Sequence, residues 1–215
     1  MNEVALQRRA QIGKERRANT RRKLLTAAAQ VIADVGGGRA TVDDVIQAAD
    51  VARGTFYNYF PDWNALLGAI WEEMGRDPFL SIQNACAQFD DPAVRLFIKM
   101  RLILLRTAED PTWGWLVFAM SGDKWTLNED LAKFPRSDLI EGLKSSKLAF
   151  DNLDSANHIV VASIRAAMLR TLQNGYDAFF LMSVCVTLMK ALGLTKTRLR
   201  SLSEMPLPNE NDVNN

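Results

Sequence analysis

Between residues 53 and 59 the chain sets out a guanidinium (Arg53), a bare backbone (Gly54), a hydroxyl (Thr55), two phenols (Tyr57, Tyr59) and a carboxamide (Asn58). This is a set of short hydrogen-bonding groups, suited to reading a polar surface rather than to making or breaking bonds. Arg53 can grip guanine O6 and N7 bidentately or hold a phosphate, and both readings stand. Thr55 and Asn58 suit base edges or thymine methyl groups, and Gly54 permits close approach. Thr41 offers its hydroxyl and neighbouring amides at a helix N-terminus, where phosphate is attracted. Other chemistries lack their parts. His158 is the only histidine, so no histidine-based cluster can form. Gly36-Gly37-Gly38 follows a helical pattern rather than a strand and precedes no Gly-Lys-Ser/Thr, so it ends a helix instead of cradling a nucleotide. No enzyme activity, metal or cofactor is expected.

Holding such groups outward requires short, rigid elements. Thr41 and Asp44 have the capping-box spacing, and Val42, Val45, Ile46 and Ala49 then repeat at helical intervals. Asp50 and Val51 interrupt this helix. A second starts near Ala52, with Phe56 and Phe60 one turn apart on its inner face, and Pro61 stops it. Val45, Ile46 and Phe56 should be internal. Two helices joined so tightly match a helix-turn-helix that lays its second helix in the DNA major groove. Leu24, Leu25, Ala28, Val31, Ile32 and Val35 make a supporting helix ahead of it. Asp62 caps a fourth, carrying Leu66, Leu67, Ile70, Trp71 and Met74, which leaves the module for the body. Upstream, residues 1–25 hold eight basic side chains against Glu3 and Glu15, in a chain whose whole net charge is only +1. The end is therefore cationic and the body acidic. Beside a recognition motif, residues 1–20 read as a phosphate-contacting arm.

The run from Ala48 to Pro61, with Arg53-Gly54-Thr55-Phe56-Tyr57 and Phe60-Pro61 inside it, resembles the DNA-binding module of TetR-family (tetracycline-repressor-like) regulators. The resemblance covers roughly 22–72. It implies an all-α protein: an N-terminal three-helix helix-turn-helix domain over 21–66, then a C-terminal helical effector-binding and dimerisation domain over 67–202. It also implies a homodimeric repressor on a palindromic double-stranded DNA operator, released by a largely apolar small-molecule effector. Tyr57 and Tyr59 match the family's phosphate-contacting positions, although Tyr59 also lies beside the Phe56–Phe60 face. Two departures stand out. Asp50 replaces a frequent glycine, at a cost of about 1 kcal/mol if it is left-handed. Trp63 stands where many members carry a phosphate-touching lysine.

In the body, Asp91-Pro92 opens a helix on which Arg95, Lys99 and Arg106 share one face while Arg101 falls among Val94, Phe97, Leu104 and Leu105. A charge there needs a partner, so Arg101 either pairs internally, snorkels to solvent, or faces an anionic effector. Trp113, Phe118 and Trp125 lie in an aromatic segment that in family relatives borders the effector cavity, and with Phe97 and Arg101 they form the candidate pocket. The helix over 155–174 presents Ile159, Ala162, Ser163 and Ala166, and the next carries Phe180 and Val184 among apolar residues all round. The resemblance makes these two helices the dimer interface. Cys86 and Cys185 read as buried thiols of a reducing cytoplasm. The basic N-terminus lacks an apolar signal, no run is long enough to span a membrane, and the tail over 203–215 reads as mobile. The competing reading is a TetR-like protein-interaction module with weak or no DNA binding, motivated by Trp63 and by Asp43 and Asp44 near the presumed DNA face.

Overall fold

A computed structural model describes residues 3–36, 39–121 and 134–208, with side chains from residue 7 onward, and every regular element among them is helical. α1 (Glu3–Val35) runs without a break, so the expected basic arm is not a separate segment but the first half of this helix. The sequence supplies the reason. Residues 3–35 contain no proline, Gly13 faces open space, and the arginines and lysines there are good helix formers helped by a Gln11–Glu15 pair one turn apart. Gly36 ends α1 at φ +82°, a left-handed position that suits glycine.

α2 (Val42–Ala48) and α3 (Arg53–Tyr57) follow. The expected capping box is complete: the Asp44 amide donates to Thr41 Oγ1 at 3.3 Å and the Thr41 amide to Asp44 Oδ2 at 2.9 Å. Asp50 forms the turn at φ +46°, the strained conformation anticipated for it. α4 (Trp63–Ile70), capped by Asp62, passes into a π-helical turn (Trp71–Gly75) and then α5 (Arg76–Ala87) without an intervening loop.

The body is built around α6 (Pro92–Glu109), which packs against α5, α7 (Pro111–Met120), α8 (Arg136–Lys144), α9 (Leu153–Asn174) and α10 (Ala178–Ala191). α11 (Lys196–Ser203) lies against α10. One apolar cluster runs from Leu24 and Phe56 in the module to Leu202 in the last helix, so module and body share a core. Residues 204–208 are not the loose tail expected. Met205 and Leu207 alternate with prolines, and both apolar side chains pack on the core.

Besides partly buried Arg101, α6 carries internal charge on the face of Arg95 and Lys99, which the sequence reading did not single out. Asp138 on α8, only 2% exposed, accepts from Arg95 Nε at 2.9 Å and from buried Lys99 Nζ at 2.8 Å, while Arg95 also pairs with Glu141. Two cations and two carboxylates thus pin α8 to α6. Burial pushes the thiols of Cys86 and Cys185 up to about 12, and both are free. No described helix is long and apolar enough to cross a membrane.

Removing the carboxylate while leaving its partners buried is the costly direction. Asp138→Ala should lower unfolding free energy by about 3–5 kcal/mol in urea melts. A loss below about 1 kcal/mol would mean that the cluster is solvated and contributes little.

Candidate DNA-binding surface and ligand cavity

In the module, Val45, Ala49 and Phe56 are fully buried and Ile46 partly so, and the Phe56 ring packs on Phe60 at 5.9 Å. That packing turns the other face of α3 outward. Arg53, Gly54, Tyr57 and Asn58 are exposed, Thr55 is half-buried, and Thr41 is exposed at the head of α2. Tyr59 is divided as its sequence position suggests: half-buried, its ring near Phe60, with the Arg17 guanidinium 5.9 Å from its centroid. Lys14, Arg17, Arg21, Asn58 and Tyr59 line a single groove, so the cationic half of α1 runs along the edge of the recognition helix. Arg21 is also held by Glu73, and Arg53 pairs with Asp43, both partners remaining well exposed. An exposed pair of this kind is worth little and is readily exchanged for a phosphate or a base.

The central cavity of the body is lined by Phe79 of α5, Ile103 of α6, Val117 and Met120 of α7, and Phe134 ahead of α8. α9 contributes Ile164, Arg165 and Met168, and Ser121 adds a hydroxyl. It leaves about 40 Å³ open to the centre of a water molecule, several times what one water needs. The sequence-expected pocket residues fall elsewhere. Phe97 and Trp113 are buried in the packing, with Trp113 Nε1 donating to Gly75 O at 3.1 Å. Phe118 lies beneath the Arg165 guanidinium, 3.9 Å from its ring centroid, so it backs the wall without lining it. Arg101 belongs to a separate groove, and Trp125 lies outside the described residues. Phe79 and Ser121 were missed because aromatic density pointed to the tryptophans, whereas the wall is assembled from scattered residues of four helices and their flanks.

Two family models match the chain: "Bacterial regulatory proteins, tetR family" over residues 24–70 and "Tetracyclin repressor-like, C-terminal domain" over residues 91–201. The chain belongs to the TetR family. It is a transcriptional regulator with a DNA-binding helix-turn-helix, and its family are regulators rather than enzymes. It is 44% identical over 52 residues to the uncharacterised HTH-type transcriptional regulator YvdT of Bacillus subtilis, a match spanning 24% of this chain and only 27% of that relative. Among solved structures, ligand-free RolR is 26% identical, covering 88% of this chain and 98% of that one, with a TM-score of 0.68. RolR in complex with resorcinol is 24% identical over 91% of this chain and 98% of that one, at 0.65. FadR of Bacillus subtilis, solved with stearoyl-CoA, shares the fold at 19% identity, covering 79% of this chain and 97% of that one, with a TM-score of 0.61.

The two helices that TetR-like proteins were expected to pair across a two-fold axis lie at the surface. α9 and α10 leave an open groove lined by Ser163, Ala166, Phe180 and Val184. Ala162 is exposed, Ile159 is 54% exposed beside a second hollow, and Phe179 is 84% exposed. Among the described residues no group of three His, Cys, Asp or Glu side chains could hold a metal.

The sequence reading assigns base reading to Arg53 and Asn58 and phosphate holding to Tyr57, and substitutions tell the two roles apart. Asn58→Ala or Arg53→Ala should change sequence preference by about 1–3 kcal/mol between operator variants, whereas Tyr57→Ala should weaken all sequences alike. Fluorescence anisotropy on a panel of duplexes at several salt concentrations checks this, and uniform weakening by all three would remove the base-reading role.

Proposed function

We propose that the chain works as a homodimeric repressor whose two modules hold a palindromic operator until a compact, largely apolar effector enters the central cavity. The observation that carries this reading is the continuity of packing between the cavity wall and the module. Phe79, in the wall, contacts Trp71 with ring centroids 5.6 Å apart, and Trp71 sits in the π-helical turn at the end of α4. A second path starts from α7, whose Val117 lines the cavity and whose Trp115 packs 3.2 Å from the point a Cβ on Gly36 would occupy. α4, the helix that leaves the module for the body, is one transmitter in this reading. The contact of α7 with α1 adds a parallel route, so the module is held at two places.

One module offers too small an interface for tight specific binding, which favours two acting on half-sites about one helical turn, roughly 34–36 Å, apart. The apolar groove of α9 and α10, carrying Ala166, Phe180 and Val184, supports the second copy as its occupant. RolR, similar over most of this chain and solved with resorcinol, supports an effector of one-ring size, and the limited space in the cavity agrees with that. An effector that favours a body with displaced modules lowers DNA affinity by its differential affinity for the two states, typically 1–3 kcal/mol.

Thr41, Arg53, Gly54, Thr55, Tyr57, Asn58 and Tyr59 are the proposed DNA contacts, with Lys14 and Arg17 of α1 as phosphate partners alongside them. Two variants test the mechanism. Ile164→Trp, filling the cavity, should lower affinity for DNA from the protein's own upstream region by about 5- to 150-fold while the dimer persists. Val184→Arg should give a monomer by sedimentation and lose operator binding with it. Full affinity in the filled protein, or a Val184→Arg monomer that still protects a whole palindrome, would contradict the proposal.

A further inference from the structure

α6 carries four cations toward the interior or the surface, and three of them meet acids. Arg95 and Lys99 meet Asp138, and Arg106 lies 3.6 Å from Asp110. Arg101 has no carboxylate partner among the described residues. Its Nη1 donates to Met205 O at 2.8 Å, and its guanidinium carbon lies 5.7 Å from the centroid of the Phe97 ring. Burial pulls its pKa down from the usual arginine range, with only Cys185 and Tyr176 acting the other way. A guanidinium has five N–H donors in a rigid fork, and one backbone carbonyl leaves most of that fork unassigned.

The fork opens on a groove with space of its own. Leu105 of α6, Leu181 and Met182 of α10 and Leu207 of the C-terminal segment make apolar walls, and Tyr176 stands at the exposed rim. The groove leaves about 180 Å³, more than the central cavity, and shares no lining residue with it. Its α10 residues, Leu181, Met182 and Cys185, differ from those turned to the outer groove, Phe180, Ser183 and Val184, so one helix separates the two surfaces.

We propose that this groove is a second ligand site, which takes a small organic carboxylate: the carboxylate on the Arg101 fork and the apolar portion against Leu105, Met182 and Leu207. A planar carboxylate matches two parallel N–H donors, and a half-buried cation gains more from an anion than an exposed one does. The apolar walls select an acid with a ring or short chain over an inorganic anion. The segment after α11 lies along the groove as a strap, with Leu207 in the wall and the Arg101 to Met205 bond tying it down. The site stands on α6, α10 and that strap, and is independent of the central effector reading.

The test is calorimetric titration of the full-length protein with benzoate and octanoate, each beside its neutral amide. At least one acid should bind, its amide at least about tenfold more weakly. Arg101→Met should lose about tenfold or more, Arg101→Lys should recover part of the loss by restoring charge without the fork, and the cavity-filled Ile164→Trp should bind as the wild type does. Equal binding of acid and amide, full binding by folded Arg101→Met, or loss in Ile164→Trp alone would overturn the second site. So would the absence of binding by both acids up to about ten millimolar, the range of weak millimolar dissociation constants.

Discussion

The contact between Trp71 and Phe79 joins the two halves of the molecule. Trp71 lies in a π-helical turn that continues α4 into α5, so the helix that leaves the DNA module is the one whose next turns form the cavity wall. Both rings are buried in a core that runs unbroken from Leu24 to Leu202. Close-packed interiors pass displacement on rather than absorbing it, because few voids exist to take up a shifted ring. Gly75 completes this junction. A Cβ there would lie 2.5 Å from the Trp71 ring, and its carbonyl accepts from Trp113 of α7. The π-helical turn, the glycine and the tryptophan of a second helix therefore belong to one packed unit, the route by which the proposed effector signal would reach the module.

Charge is distributed with a comparable division of labour. The set on α6 and α8 is balanced, with Arg95, Lys99 and Asp138 largely buried and Glu141 at the exposed rim, and it ties the two helices together. The charges at the edge proposed to face DNA are exposed and only locally paired, Arg53 with Asp43 and Arg21 with Glu73, so they can change partners at little cost. Asp43 near the recognition helix, which at first counts against DNA binding, is thereby a holder for Arg53 rather than an obstacle. Arg101 fits neither group, and its half-buried fork under the C-terminal segment is the one site on α6 where geometry outruns what the frame requires.

The module was legible because its signals are local. The capping box at Thr41 and Asp44, the left-handed turn at Asp50 and the burial of Phe56 each depend on residues within a turn or two, and each is present. The body was legible in its helices and not in its pocket. A cavity wall is assembled from side chains distant in sequence, and Phe79, Val117 and Ile164 carry no mark that separates them from ordinary core residues. Tryptophans drew attention through composition, yet Trp113 serves as a strut and Phe97 as packing. On α6 the helical wheel singled out Arg101 but gave no sign that Lys99 would be buried and paired, because the deciding partner, Asp138, comes from a helix 39 residues away from Lys99. The start of the tail, 204–208, departs from the expectation for a related reason: Pro-rich polarity suggested mobility, while Met205 and Leu207 pack on the core.

The central claim is that the occupied cavity and the position of the modules are mechanically one variable. Spin labels at Ala48→Cys, exposed at the end of α2, report the separation of the two modules in the proposed dimer; Cys86 and Cys185, buried with thiols held near pKa 12, stay unlabelled. Pulsed dipolar spectroscopy on this protein, with the cavity open and with it filled by Ile164→Trp, reads that separation directly. The account predicts one distance distribution for the open protein and a displaced one for the filled protein. Superimposable distributions, in two samples that are both dimeric and folded, would contradict it.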